Sequence, residues 1–307
     1  MKLTDLTHRE MARRLTGDGL PVKIGPFWIN LRSAIPDLLR HIACFYDQYE
    51  TADPDRFFDF HIMLKNSGGL RRWIKPQVHF LLDEFAPFKP LPYIHAFAMF
   101  EWGLNWCIAT TAHHYLIIHA AVLEKEGRGI IMPGVPGSGK STLCAAMSLR
   151  GWRLLSDEMA LLDPASLSIT PVPRPVGLKN ESIGIIRHFS AAAEIGPGAK
   201  DTAKGTVAHL TPSISSIQQA SVACRPHAVV FPKYITKSDT KLIRKAQGRA
   251  LMEIQENAFN THILGKEGFD SARSLVDRYP VYSLEYSKLD DALMIMDRLV
   301  VDAEVTA

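Results

Sequence analysis

The sequence has few of the features that mark disulfide-rich, zinc-binding or membrane proteins. It contains four cysteines in 307 residues, and no two of them form a C-x-x-C pair. A zinc site or a disulfide framework is therefore not expected, and reduced thiols in the cytoplasm are the default. Residues 1–20 carry several arginines and lack the apolar core of a signal peptide. The most apolar stretch, residues 96–122, is interrupted by Glu101, Asn105 and His119, so it is too polar for a membrane span.

A surplus of charge of one sign is missing as well. Lys and Arg total 35 against 32 Asp and Glu, which gives a formal charge of +3, and no block of five or six like charges occurs. The sequence therefore predicts a soluble, cytoplasmic protein with neither nucleic acid nor a membrane among its partners. Internal repeats and low-complexity segments are absent too. The length allows one large domain or two modest ones, and a homo-oligomer stays open.

The pattern of apolar runs and breakers predicts a mixed α/β class. Apolar residues at 96–111 suit a buried helix by length, and residues 191–205, rich in Gly, Ala and Pro, are interpreted as a mobile surface loop. Two further helices are predicted at residues 141–150 and 250–257, and a last helix is predicted to begin at residue 290 or 291. The predicted strands cover residues 22–31, 57–64, 78–83, 115–123, 129–132, 152–155, 228–231 and 281–284.

The strongest motif is G-x-x-x-x-G-K-[ST], formed by Gly134, Gly139, Lys140 and Ser141. Glycines let successive backbone N–H groups turn toward an anion, and the helix that follows adds its positive end. In such a loop the lysine reaches the β- and γ-phosphates and the hydroxyl ligates magnesium. An apolar strand before the loop and a helix after it are the setting that the motif requires, so ATP and Mg²⁺ are the predicted ligands. The predicted nucleotide-binding residues here are Gly134, Gly137, Ser138, Gly139, Lys140, Ser141 and Thr142.

Two further positions point to chemistry beside this loop. Asp157 and Glu158 end the next predicted strand, and polar groups at the carboxyl ends of neighbouring strands converge on a ligand. Asp157 is therefore a candidate magnesium ligand or a base for a hydroxyl proton. Ser141, Asp157 and Glu158 are the predicted metal ligands. His119 lies in the preceding apolar run and is either a catalytic group or a hydrogen-bonded core residue.

Together these elements resemble the bacterial HPr kinase/phosphorylase family and its HPr-related kinases. The matching segments are residues 118–121, 133–143 and 150–158, the last of which fits R-G-x-R/K-L-x-x-D-[DE]. Residues 174–180 look like an R-P-[IV]-x-L-K segment of the HPr-related kinases. Residues 101–106 and 201–209 look similar to the subgroup called HPr-related kinase A.

The resemblance implies a P-loop on a mixed sheet, the fold shared with phosphoenolpyruvate carboxykinases. It implies a kinase domain at residues 96–307 and an additional α+β region at 1–95, where the N-terminal domain of full HPr kinases is not recognisable. It further implies that Asp157 is the base for a serine hydroxyl, that Lys140 holds phosphate, and that His119 lies near the reacting group.

Other positions complete the predicted site. Lys179 and Lys204 are candidate phosphate partners, and Arg174 is a weaker one. The family's metal-binding glutamate, in an E-x-R-G segment, has no counterpart at residues 171–177, and Glu181 is the candidate replacement. The predicted activity is an ATP-dependent kinase that transfers the γ-phosphate to a hydroxyl, with a serine of a protein or peptide as the expected acceptor. The alternatives are a nucleotide-dependent switch with slow ATPase activity and a small-molecule kinase.

Overall fold

The computed structural model describes residues 1–69 and 74–301, which form a mixed α/β protein with four sheets. The described helices are α1 (His8–Thr16), α2 (Pro36–Phe45), α3 (Ala96–Thr111), α4 (Lys140–Leu149), α5 (Glu181–Phe189), α6 (Ile214–Gln218), α7 (Gln247–Asn257), α8 (Thr261–Leu264), α9 (Lys266–Arg278) and α10 (Leu289–Val301). The described strands are β1 (Leu20–Ile24), β2 (Phe27–Ser33), β3 (Phe60–Asn66), β4 (Gln77–Leu82), β5 (Leu91–Pro92), β6 (Leu116–Ile118), β7 (Ala120–Lys125), β8 (Arg128–Pro133), β9 (Arg153–Ser156), β10 (Ala160–Leu162), β11 (Ile169–Thr170), β12 (Val176–Lys179), β13 (Ala199–Thr202), β14 (Gly205–Leu210), β15 (Arg225–Tyr234), β16 (Lys241–Arg244) and β17 (Val281–Tyr286). The predicted mixed class is confirmed.

The N-terminal third builds a five-stranded sheet in the order β1-β2-β3-β4-β5. The helices α1, α2 and α3 pack in its core. The strand predicted at 22–31 is in fact the hairpin of β1 and β2, which turns at Gly25 and Pro26. Gly25 has a φ of 59°, and a Cβ there would lie 2.5 Å from the carbonyl oxygen of Pro171, so the turn requires glycine. The predicted helix at 96–111 is confirmed as α3. The domain boundary predicted at residue 95 stays a prediction. α3, which begins directly after it, packs in the core of the N-terminal sheet.

The second half is organised around a six-stranded sheet in the order β16-β17-β15-β8-β7-β9. β8 is parallel to β15, and β15 is parallel to β17. β7 is antiparallel to both β8 and β9, so β8 and β9 run in the same direction. Ala120 therefore pairs with Pro133, and Val122 with Ser156. The ends of β8, β9, β15 and β17 and the start of β7 share one edge of the sheet, here called the loop edge.

Alternating side chains of this sheet feed two cores. One face packs against α4, α5 and α10 and against the small sheet β12-β14-β13. The other face packs against α7 and α9 and against the small sheet β11-β10-β6. The sheet is therefore covered on both sides, which explains why its strands read as nearly continuous apolar runs. Among the helices described, none combines the length and the apolar character that crossing a membrane demands.

Two further predicted elements differ from the structure. The single strand expected at 115–123 is broken at His119, where the chain passes from β6 in a small sheet to β7 in the large one. The loop expected at 191–205 contains β13, which pairs with β14 through an irregular register. Both differences arise from tertiary pairing, which local apolar patterning does not report.

Candidate functional site

The glycine-rich loop, residues 134–141, leaves β8 at the loop edge and runs into α4. Gly137 and Gly139 have φ values of 87° and 90°, a region that other residues rarely occupy. A Cβ on Gly134 would lie 2.8 Å from Ser138 Oγ, and one on Gly139 would lie 2.4 Å from the hydroxyl of Tyr286. The three glycines of the loop are therefore explained by sterics: Gly137 by its backbone angle, Gly134 by close approach, and Gly139 by both.

Three buried polar atoms beside this loop lack hydrogen-bond partners in the described structure. Ser138 Oγ, Lys140 Nζ and Asp157 Oδ1 are all buried, and within residues 1–69 and 74–301 none of them has a hydrogen-bond partner. Buried polar groups in folded proteins are nearly always paired, because leaving one unpaired costs about 1–3 kcal/mol. Three such atoms at one loop edge indicate a site that is completed by a polar ligand.

Lys140, the first residue of α4, carries the positive charge of the site. It is only 7% exposed. Burial lowers the pKa of its ammonium group, and the carboxylates of Asp157 and Glu158 oppose that shift. The lysine is thus held beside two acids without a direct hydrogen bond to either, in the position where the sequence places the phosphate-binding lysine.

Asp157 follows β9 directly and is buried at 5% exposure. Its Oδ2 accepts a hydrogen bond of 3.1 Å from the backbone N–H of Gly177, while its Oδ1 is free of such contacts among the described residues. Burial and the neighbouring charge of Glu158 raise its pKa to about 6, although Lys140, Gly177 and Ser141 oppose the shift. A carboxylate with one free oxygen and a pKa near neutrality suits proton transfer.

Glu158 and His119 form a pair next to Asp157. The Nε2–H of His119 donates to Glu158 Oε2 at 3.2 Å, and both side chains are partly exposed. Burial raises the pKa of Glu158, but the His119 hydrogen bond and the Lys140 charge outweigh it and bring the pKa down to about 2. The pKa of Glu158 is therefore lowered while that of its neighbour Asp157 is raised, so the two carboxyl groups differ in their surroundings. The ring of Phe259 lies 5.7 Å from that of His119.

The two predicted lysines approach the same place from the β12-β14-β13 sheet. Lys179 ends β12, and Lys204 lies in the turn between β13 and β14. Lys204 Nζ is 5.1 Å from the ring centre of Trp102. Partial burial and the charge of Lys179 lower the pKa of Lys204, and Glu158 opposes this. The structure therefore brings both lysines within electrostatic range of the acidic pair.

Arg174 lies differently from what the sequence suggested, whereas the role of Glu181 as a metal ligand stays a prediction. Arg174 is buried and bonds to Glu101 at 3.3 Å and to Asn105, so its guanidinium is engaged in the core beneath the site. Glu181 is exposed at the start of α5. Thr142, in the first turn of α4, stays beside the loop and is partly exposed. The contribution of the Gly177 backbone N–H could not be predicted, because a main-chain donor leaves no signature in residue type.

Magnesium prefers oxygen ligands, often one or two carboxylates together with phosphate oxygens. The described residues contain no group of three His, Cys, Asp or Glu side chains that could hold a metal alone. The free Oδ1 of Asp157, near the hydroxyl of Ser141, fits a metal that takes its other ligands from a nucleotide and water.

The fold and site define a mixed α/β protein with a glycine-rich loop beside an acidic pair. No family model matches the chain, and no curated protein matches it either. Among solved structures, it is similar to the Hpr(Ser) kinase/phosphatase from Coxiella burnetii, with 15% identity and a TM-score of 0.27. That similarity covers 60% of this chain and 93% of the other. A likeness of this size does not define function.

Proposed function

We propose that this protein is an ATP-dependent kinase that transfers the γ-phosphate to a hydroxyl group, with a serine of a protein or peptide as the acceptor. One observation carries the proposal. A buried carboxylate, Asp157, has a pKa raised to about 6 and a free oxygen, and it stands beside a buried lysine that also lacks a partner in the described structure. A switch protein needs only a metal ligand at that position, whereas a kinase also needs a base there.

In the proposed reaction, the acceptor hydroxyl loses its proton to Asp157 as its oxygen bonds to the γ-phosphorus. The bond between that phosphorus and the bridging oxygen of ADP breaks, and ADP leaves with the electron pair. Lys140 offsets the negative charge of the phosphates, and the backbone N–H groups of residues 134–141 orient them. Lys179 and Lys204 add positive charge on the side of the acidic pair.

Magnesium would be held by Ser141 and Asp157, with Glu158 as a further oxygen donor, and when bound it would neutralise phosphate charge. His119 would fix the orientation of Glu158 through its 3.2 Å hydrogen bond. In that role His119 is a positioning residue. The proposal therefore assigns this histidine a function and does not treat it as a hydrogen-bonded core residue.

The sequence supports a finer assignment within the same proposal. Residues 150–158 and the loop resemble HPr kinases, and residues 101–106, 174–180 and 201–209 resemble the HPr-related kinase A subgroup. We therefore propose the P-loop mixed sheet of the HPr kinase and phosphoenolpyruvate carboxykinase type for residues 96–307. The missing E-x-R-G segment makes HPr itself an unfavourable choice of acceptor.

Labelling tests the proposal. The protein is incubated with magnesium, ATP labelled at the γ-phosphate and a lysate or serine-containing peptides, and the labelled species are identified. A labelled serine is the expected result. Label only in free phosphate would overturn the kinase proposal and favour a switch or a bare ATPase.

Calorimetry with the Lys140→Ala variant tests the donor half alone. Loss of tight ATP-magnesium binding is expected, because the charge that faces the β- and γ-phosphates is removed. Lys200→Met, which removes an exposed charge on β13, is the control and keeps wild-type affinity. Unchanged affinity in Lys140→Ala would show that the loop does not bind phosphate.

A further inference from the structure

Two tyrosines lie against the glycine-rich loop on the side away from Asp157. The hydroxyl of Tyr286, at the end of β17, donates to the carbonyl oxygen of Gly139 at 3.0 Å. The backbone N–H of Tyr234, at the end of β15, donates to the carbonyl oxygen of Ser138 at 2.9 Å. The two rings are 5.8 Å apart and nearly perpendicular. Tyr286 is buried at 1% exposure, whereas Tyr234 is 48% exposed, so one ring supports the loop and the other is presented to solvent.

The order of the strands gives this arrangement a direction. Along the loop edge, β9 with its acidic pair lies on one side of β8, and β15 and β17 lie on the other. A triphosphate that lies along the loop with its γ-phosphate toward Asp157 directs its α-phosphate, and whatever is attached to it, toward β15. Tyr234, at the end of β15, presents an exposed aromatic ring on that side.

We infer that Tyr234 is a stacking residue for the nucleoside base, and that residues 235–240, which follow it, line the nucleoside side of the site. This inference deepens the proposed function and rests on it. An aromatic ring offers a base a sequence-tolerant stacking face, and one anchored to the loop by its own backbone does so at a fixed distance from the phosphates. The binding energy gained there would position the γ-phosphate at the far end.

Residues 235–240 carry a second observation. Ser238 Oγ and Thr240 Oγ1 are buried, and neither has a hydrogen-bond partner within the described parts of the chain. The backbone carbonyl of Ser238 accepts a hydrogen bond of 2.8 Å from Ser287, which follows β17. The segment is thus tied to the loop edge while two of its hydroxyl groups stay unused, as is typical of a segment that completes its hydrogen bonds with a ligand.

Calorimetry on Tyr234→Ala and Tyr234→Phe, each with magnesium-ATP and with magnesium tripolyphosphate, tests the inference. Tripolyphosphate keeps the phosphates and lacks the base. We expect Tyr234→Ala to weaken ATP binding by about 5- to 100-fold, from the loss of one stacked base, and to leave tripolyphosphate binding unchanged. Tyr234→Phe keeps the ring and should bind ATP like the wild type.

The outcomes separate the inference from the proposed function. Equal weakening of the binding of both ligands would show that Tyr234 shapes the loop and does not contact the base. Wild-type ATP affinity in Tyr234→Ala would show that the base lies elsewhere. Either result overturns the inference and leaves the kinase proposal intact. If the wild-type protein bound neither ligand, both would fall. Phe269→Ala removes a comparably exposed ring from α9, 47% exposed, and controls for general loss of aromatic surface.

Discussion

Two buried ionic clusters in the described parts of the chain differ in how completely they are paired. In the paired cluster, beneath the site, Glu101 accepts a hydrogen bond of 2.5 Å from Tyr46 and one of 3.3 Å from Arg174, which also bonds to Asn105. In the loop cluster, formed by Lys140, Asp157, Glu158 and His119, only the 3.2 Å contact of His119 with Glu158 joins two members directly. Lys140 Nζ and Asp157 Oδ1 stay without partners among the described residues.

Pairing distinguishes the charges that stabilise the fold from those that are available to a ligand. Burying a charge is costly unless neighbouring groups compensate it, and the paired cluster supplies that compensation within the chain. Burial raises the pKa of Glu101 there as well, but Arg174 and Tyr46 oppose the shift through direct hydrogen bonds. In the loop cluster burial lowers the pKa of Lys140 and raises that of Asp157, and no direct hydrogen bond joins these two groups. Changes in the loop cluster should therefore affect chemistry and leave the fold intact, whereas changes in the paired cluster should do the reverse.

The largest expected effect is on catalysis, in Asp157→Asn. The amide keeps the shape of the carboxylate but accepts no proton, so phosphoryl transfer to a serine peptide should fall by about 10²- to 10⁴-fold, the contribution of a positioned base. ATP binding should persist, because Lys140 and the loop are unchanged and the amide oxygen of asparagine still offers magnesium an oxygen ligand. Single-turnover transfer and calorimetry on the same preparation measure the two quantities. Transfer at the wild-type rate would remove Asp157 from the role of base.

The sequence predicted the loop cluster better than the fold around it. Gly134, Gly139 and Lys140 belong to a local motif, and Asp157 is close to it in sequence, so spacing alone indicated their convergence. The split of residues 115–123 at His119 could not be predicted, because it depends on pairing with β10 in one sheet and with β8 and β9 in another.

The paired cluster shows why the rest of the site was harder. Arg174 looked like a candidate phosphate partner, because it is a basic residue of the loop-rich segment and phosphoryl transfer requires positive charge. Its actual partners, Glu101 and Asn105, lie about 70 residues earlier on α3, and only the packing of α3 against that segment decides the matter. Strands such as β13, with few apolar residues, escape prediction for the same reason.

The next largest effect should be on stability, in Glu101→Ala. Removing one member of a buried pair leaves Arg174 desolvated without its carboxylate, which lowers the free energy of unfolding by about 3–5 kcal/mol. Urea denaturation measures this change. The double variant Glu101→Leu, Arg174→Met removes both charges and should lose less than the single variant. If the double variant is less stable than Glu101→Ala, the cluster does more than compensate its own charges.

A smaller, pH-dependent effect on stability is expected from Asp157→Asn. The pKa of Asp157 is about 6 in the folded protein against 3.8 for the ordinary group. The folded state then binds more protons than the unfolded state between these values, so the wild type loses stability as pH rises from about 4 to 6. Asparagine does not ionise, and the variant should be more stable than the wild type by about 1–3 kcal/mol at pH 8. At pH 4 or below the two should be equal.

Asp163→Asn is the control for this measurement, because its change in stability at pH 8 should have the opposite sign. Asp163 accepts a hydrogen bond of 2.7 Å from the backbone N–H of Ser166, and such bonds lower its pKa. Asp163→Asn should therefore lose stability at pH 8, where Asp157→Asn gains it. If urea denaturation at pH 4 and pH 8 showed the same direction of change in stability for both variants, burial would not destabilise the ionised form of Asp157.

The smallest effect is expected where the two clusters approach each other, at Lys204. Its ammonium group lies over Trp102, the neighbour of Glu101 on α3, and its pKa responds to Glu158 in the loop cluster. Lys204→Met should cost about 0.5–1 kcal/mol of stability, because a partly exposed cation–π contact is weak. If Lys204 also neutralises the transferring phosphate, the rate of transfer falls about tenfold, or about 1.4 kcal/mol in the barrier. Lys200→Met, on the neighbouring strand, should change neither quantity. An unchanged rate in Lys204→Met would place this lysine with the paired cluster, as a structural contact of α3.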